Sequence, residues 1–142
     1  AIDADGDWPA PLAEIAGKCE RVLVDAPCSG VGALRRNPEA RWRLREEDVT
    51  SCTIEQRTIL ARARELVAPG GRIVYATCTL LKAENDAIAA GIGEGFAIVP
   101  VSTIWPTRTE LCSDDGRFLQ LRPDRHGTDG FFAAVLERTV GA

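Results

Sequence analysis

Three side chains in this sequence stand where a protein can do chemistry. Asp25 and Cys28 close the run Arg21-Val-Leu-Val-Asp-Ala-Pro-Cys28-Ser-Gly30, and Cys78 closes Arg72-Ile-Val-Tyr-Ala-Thr-Cys78-Thr fifty residues later. An accessible thiolate is a nucleophile, and a position just before a helix N-terminus lowers a thiol's pKa. Cys78 is placed that way, ahead of a helix predicted over Lys82 to Ile92. A carboxylate at the end of an apolar strand is costly to bury unless it binds something, which marks Asp25 as functional. Cysteine is also among the most buried residue types, and Cys19, Cys52 and Cys112 are read as core.

The elements that must position these groups follow from patterning. The Val and Leu residues before Asp25 lack polar alternation, which suits a strand buried on both faces of a parallel sheet. In open α/β sheets ligands bind outside the carboxyl ends of the strands, where Asp25 to Gly30 would be delivered. Ser29 to Arg45 is rich in Gly, Arg and Pro and reads as a surface loop with a turn at Asn37-Pro38. From Arg45 the pattern is helical, with Val49, Ile54, Ile59, Leu60, Ala63, Leu66 and Val67 near one face and Pro69-Gly70-Gly71 as the stop. A second strand over Arg72 to Ala76, the Lys82 helix and a third strand over Phe96 to Val99 follow. Leu119 to Leu121 and Phe131 to Leu136 read as an edge pair joined by a polar turn. Strand, helix, strand, helix, strand predicts an α/β fold with a mostly parallel sheet and an antiparallel carboxyl-terminal edge.

At 142 residues the chain suits one domain, and 45% hydrophobic with 27% charged residues is an ordinary globular balance. No apolar run approaches a membrane span and no leader pattern is present, so no membrane partner and a cytoplasmic location are expected. Five cysteines without a Cys-x-x-Cys pair, and a single histidine, argue against a disulfide framework and a zinc site, and no metal is expected. His126 is read as a turn residue. The net charge of −4 gives no support to generic nucleic-acid binding, yet Arg35, Arg36, Arg41, Arg43 and Arg45 gather around Trp42 with only Glu39 opposing. That cluster is either a solvated face or a local phosphate-binding patch, with Trp42 stacking or packing. The absence of methionine and a first element without a preceding strand predict a piece of a longer polypeptide.

Asp25-Ala-Pro-Cys28-Ser-Gly30 together with Tyr75-Ala-Thr-Cys78-Thr resembles the paired signatures of RNA cytosine carbon-5 methyltransferases of the Sun/RsmB group. The resemblance extends through Arg35-Arg-Asn-Pro-Glu-Ala-Arg-Trp42, Pro69-Gly70-Gly71, Glu84-Asn85 and Asp129-Gly130-Phe131-Phe132, from about Asp5 to Leu136. It implies a Rossmann-like fold and S-adenosylmethionine-dependent methylation of carbon 5 of a cytosine in RNA, with ribosomal RNA as the expected partner. By this resemblance Cys78 attacks carbon 6 of the base, Cys28 assists loss of the carbon-5 proton and product release, and Asp25 lies near the cofactor amino group and the N3/N4 edge of the cytosine. Asp5 and Pro27 join Asp25 on the cofactor side, and Arg35, Arg36, Arg41 and Trp42 are the expected RNA contacts. The glycine-rich cofactor loop and the ribose-binding acid of the family would precede Asp5 and are not present, so residues 1–142 are expected to form one partial catalytic domain, completed by an amino-terminal half. Thr79 replaces the family's common serine after the nucleophile. Two other readings stay open: a truncated, non-catalytic RNA-binding or assembly module, and a methyltransferase acting on an exocyclic amino group. The second would pair the strand-end acid or amide with two prolines and an aromatic, where this chain has Ala26-Pro27-Cys28.

Overall fold

The computed structural model describes residues 7–141. Five strands form one sheet: β1 Cys19–Asp25, β2 Val67–Thr77, β3 Phe96–Val99, β4 Leu119–Leu121 and β5 Phe131–Arg138. The helices among the described residues are α1 Ala10–Ala13, α2 Ala40–Arg43, α3 Glu46–Leu66, α4 Asp86–Ala90, α5 Val101–Ile104 and α6 Pro123–His126, with 3-10 turns at Val31–Ala33 and Thr109–Leu111. β1 and β2 are parallel and joined by α3, a right-sized crossover, while β5 runs antiparallel to β2, β3 and β4. Four strands therefore point one way and β5 alone opposes them, which makes the fold the α/β, Rossmann-like arrangement that the sequence predicts.

The antiparallel strand does not lie at the edge, however. The order is β1-β2-β5-β3, with β4 also on β5, so β5 is inserted between the second strand and the third. Its apolar run explains this. Phe132, Ala133, Ala134 and Leu136 are all buried, and a strand covered on both faces belongs inside a sheet. β1 shows the converse. Only Val24 of this strand is buried and Leu23 is 70% exposed, because nothing among the described residues pairs with its outer edge or covers that face.

The core lies on one face, where Ile73 and Tyr75 of β2 and Phe132 and Leu136 of β5 meet Leu60 and Ala63 of α3 and Ile88 of α4. Tyr75 meets Phe132 edge-on at a centroid distance of 6.5 Å, and Phe118 meets Phe132 at 5.0 Å. On α3 the buried stripe is Gln56, Leu60, Ala63 and Leu66. Ile54, expected on that stripe, sits two residues and therefore about 200° from Gln56 and points to solvent at 62% exposure. Pro69-Gly70-Gly71 does not stop the helix either. The chain passes from Leu66 into β2, and Gly70 at φ +74° turns the strand where the β1 register shifts between Cys19 and Arg21.

Candidate active site

The two loops that carry the thiols leave the sheet at the same rim. β1 and β2 are in register up to Asp25 beside Ala76, and Ala26 N–H donates to Ala76 O at 2.9 Å just beyond the last strand pair. The chains then meet: Cys28 Sγ and Cys78 Sγ are 3.3 Å apart, within hydrogen-bond reach of one another. Burial, and after it the hydrogen bond with Cys78, push the Cys28 thiol up to about 12. Either sulfur can act as the donor in this contact. The Lys82 helix that was to activate Cys78 is shorter than the sequence suggests. α4 begins at Asp86, eight residues beyond Cys78, and a helix dipole acts only within its first turn.

What replaces the helix is a buried polar cluster. Glu84, fully buried, accepts four hydrogen bonds on its carboxyl group. Oε1 takes Ser29 N–H at 2.8 Å and Gln56 Nε2 at 3.1 Å, and Oε2 takes Ser29 Oγ at 2.5 Å and Thr79 Oγ1 at 2.9 Å. Gln56 Nε2 also donates to Pro27 O at 2.8 Å, and Tyr75 Oη donates to the Glu84 carbonyl at 2.7 Å. Asn85 links Thr77 Oγ1, which donates to its Oδ1 at 2.6 Å, with Thr79 O, which accepts from its Nδ2 at 3.0 Å. The backbone of Asn85, at φ −111° and ψ −94°, lies outside helical geometry, so α4 starts only after it. Neighbours of both cysteines are therefore held by the same residues.

A third loop closes the rim. Gly32 N–H donates to Cys78 O at 2.9 Å and Gly130 N–H donates to Gly32 O at 2.8 Å. The backbones approach so closely that a Cβ on Gly32 would lie 2.7 Å from Cys78 O and closer still to Gly130 O. Gly30, at φ +70°, makes the preceding turn in the left-handed region that glycine tolerates.

Asp25 is exposed at the end of β1, beside the groove of ≈ 490 Å³ that runs along the outer edge of β1 under Trp8 and Ile59, and its carboxyl group has no partner among the described residues. It shares the rim with the thiols but touches neither. Pro27 is exposed on the same loop. Arg36 Nε pairs with Asp129 Oδ2 at 2.6 Å, and Arg35 reaches Asp129 Oδ1 at 3.5 Å and Gly127 O at 2.8 Å, so two of the expected phosphate ligands are braced by the loop before β5. Trp42 is not packed under the helix: it is 79% exposed, with the Arg41 guanidinium 4.6 Å from its ring centroid. His126 is a turn residue as read, its Nδ1 accepting from Arg122 N–H at 2.8 Å. Asp5 lies outside the described residues. Sequence reasoning missed Gln56 altogether and gave Glu84 no role. The one available signal was a polar residue in the helical stripe that otherwise holds Leu60, Ala63 and Leu66.

Residues 3–137 match the family model described as 16S rRNA methyltransferase RsmB/F. Over 84% of its length the chain is 44% identical to the Mycobacterium tuberculosis protein Rv1407, whose name assigns it to methyltransferases without a substrate. Over the same share it is 36% identical to Ribosomal RNA small subunit methyltransferase F of Serratia proteamaculans. The chain spans about a quarter of the length of these relatives, 26% in each case. Among solved structures it is similar to NSun6 from Pyrococcus horikoshii, crystallised with SFG, at 25% identity and a TM-score of 0.72 over 99% of this chain and 34% of that one. The strand-end thiols, the sheet that aligns them and these matches agree, and the chain belongs to the RsmB/F family of rRNA methyltransferases.

Proposed function

We propose that this chain carries the reacting thiols of an S-adenosylmethionine-dependent methyltransferase that modifies carbon 5 of a cytosine in ribosomal RNA. The matched stretch is about a quarter of the relatives' length, so the activity is that of a whole protein of this kind, working in the cytoplasm, of which these residues form the thiol-bearing part of one catalytic domain. An amino-terminal half with the cofactor loop is the proposed partner. The observation that carries the reading is the 3.3 Å approach of Cys28 and Cys78 at the ends of two adjacent parallel strands.

Carbon 5 of cytosine is a poor nucleophile and has to be activated covalently. Cys78, its thiol proton released to solvent, adds through Sγ to carbon 6, and the electron pair displaced from the C5–C6 double bond makes carbon 5 nucleophilic. S-adenosylmethionine, when bound, supplies the methyl group. The donor set fits it on one side: Asp25, an exposed carboxyl without a partner among the described residues, suits an ammonium group, and the exposed ring of Pro27 stands beside it. Asp25 also suits the N3/N4 edge of the base, where its carboxyl group can accept a hydrogen bond from the exocyclic N4 amino group. To take the carbon-5 proton, the Cys28 thiol must first release its own proton to solvent. The carbon–sulfur bond to Cys78 then breaks and returns the electron pair to sulfur. A base can reach such a site only unstacked, and exposed Trp42 with Arg41, next to Arg35 and Arg36, suits a flanking nucleotide and its phosphates.

The test uses RNA containing 5-fluorocytosine, from which no carbon-5 proton can leave, and the full-length protein. The wild type is expected to form a complex that survives denaturant, Cys78→Ala to form none, and Cys28→Ala to retain it. Trapping that persists in Cys78→Ala would assign the attack to another residue and end this reading.

A further inference from the structure

We infer that Glu84 is a positioning residue for the thiol pair: its buried carboxyl group sets the separation of Cys28 and Cys78 by holding the residues next to both. The inference rests on the reading of the two thiols as the reacting pair. Glu84 reaches the Cys28 loop through the N–H and the hydroxyl of Ser29, and the Cys78 loop through Thr79 Oγ1, which is itself 3.0 Å from Ser29 Oγ. Ser29 and Thr79 immediately follow the two cysteines, so one carboxyl group is hydrogen-bonded to both loops a single residue past each sulfur. Four donated hydrogen bonds fill the acceptor sites of an ionised carboxylate, which fixes its orientation from every side. Gln56 completes the brace from α3. Its Nε2 donates to Glu84 Oε1 and to Pro27 O, the residue before Cys28, while its own Oε1 is buried without a hydrogen-bond partner. An amide that leaves an acceptor unsatisfied in order to point its donors at this carboxyl and this loop has been placed for them.

Glu84 touches neither sulfur, and its effect is on geometry. Reacting groups misplaced by about 1 Å lose on the order of 100-fold in rate, and removal of the carboxyl group releases all four of the hydrogen bonds it accepts from the two loops and α3. In Glu84→Ala of the full-length protein we expect kcat to fall roughly 100-fold, with KM for RNA and for S-adenosylmethionine unchanged. Glu84→Gln is expected to restore most of the loss. Its remaining oxygen accepts from Ser29 N–H and Gln56, and the hydroxyls of Ser29 and Thr79 rotate to accept from the new amide.

A second readout needs neither RNA nor cofactor. Equilibration with oxidised glutathione measures how readily the pair closes into a disulfide, two glutathione thiols being released as the Cys28–Cys78 bond forms. The sulfurs have to move about 1.3 Å closer to reach bonding distance. The closing constant is expected to fall at least about tenfold in Glu84→Ala and to recover in Glu84→Gln. If the alanine variant does not fold, Ser29→Ala, which removes one of the four donors, is expected to lower kcat and the closing constant together by a smaller factor. Unchanged kcat and closing constant in the folded alanine variant overturn the inference, and so does a glutamine variant as impaired as the alanine one. Absence of a fluorocytosine adduct in the wild type would remove the methyltransferase reading and leave the thiol equilibrium to judge Glu84 separately.

Discussion

Gly32→Ala tests whether the rim of the sheet is held by backbone contact. Adding one methyl group at this buried glycine places a Cβ 2.7 Å from Cys78 O and nearer still to Gly130 O, both backbone atoms that cannot swing away. Relief requires parting the loops, and with them the bonds from Gly32 N–H to Cys78 O and from Gly130 N–H to Gly32 O. Overpacking a filled site costs about 1–3 kcal/mol, and each hydrogen bond given up adds about 0.5–1.5 kcal/mol. A loss of at least about 2 kcal/mol is a large part of the 5–15 kcal/mol that holds a typical domain, and corresponds to a drop in Tm of at least roughly 6 °C. Thermal and urea unfolding of wild type and variant measure it directly. Gly95→Asn is the control: its Cβ would meet nothing within 4 Å, and asparagine tolerates φ +79° better than other residues, so its cost should stay below about 1 kcal/mol. Equal stability of Gly32→Ala and wild type would mean that the three loops do not touch as described, and the approach of the thiols would lose its support.

Trp42→Ala is expected to weaken binding of single-stranded RNA to the full-length protein by about 1–3 kcal/mol, the value of one base stacked on an aromatic ring, as read by a fluorescence titration. Because the ring is 79% exposed, the stability of the fold should change by less than about 0.5 kcal/mol. Alkaline pH offers a further measurement. Cys28 ionises at its ordinary 9.0 when unfolded and at about 12 when folded, so its contribution is complete below pH 9 and is lost as pH rises toward 12. Urea midpoints of the wild type should therefore fall more steeply across that window than those of Cys28→Ala, and parallel curves would contradict the burial of the thiol.

The strand ends that bring the two thiols together were legible because their signal is local. An apolar run that ends in Asp25-Ala-Pro-Cys28, and a second that ends in Thr77-Cys78, announce strand ends, and strand ends of parallel neighbours share a rim. β3 and β4 were legible for the same reason, as short runs bounded by glycine and polar turns. The place of β5 was not, since a run such as Phe131 to Leu136 says that both faces are covered and not which strands cover them. The length of α4 was hidden because Glu84 and Asn85 fit a helix by pattern, whereas the backbone of Asn85 leaves helical geometry where its side chain bonds Thr77 and Thr79 O, eight and six residues back. Arg35 and Arg36 read as open charge because Asp129, which braces them, lies more than ninety residues away in the chain.

The central position of β5 also orders the assembly of the molecule in time. β1, α3 and β2 are contiguous, and as synthesis proceeds they can pack together as soon as Thr77 has emerged. β3 cannot join them then, because the strand it lies against spans Phe131–Arg138 and has not been made. Gly130, the support under Gly32 and the Cys78 carbonyl, arrives with that same strand. The rim that holds the two thiols is therefore complete only once Gly130 and β5 are in place.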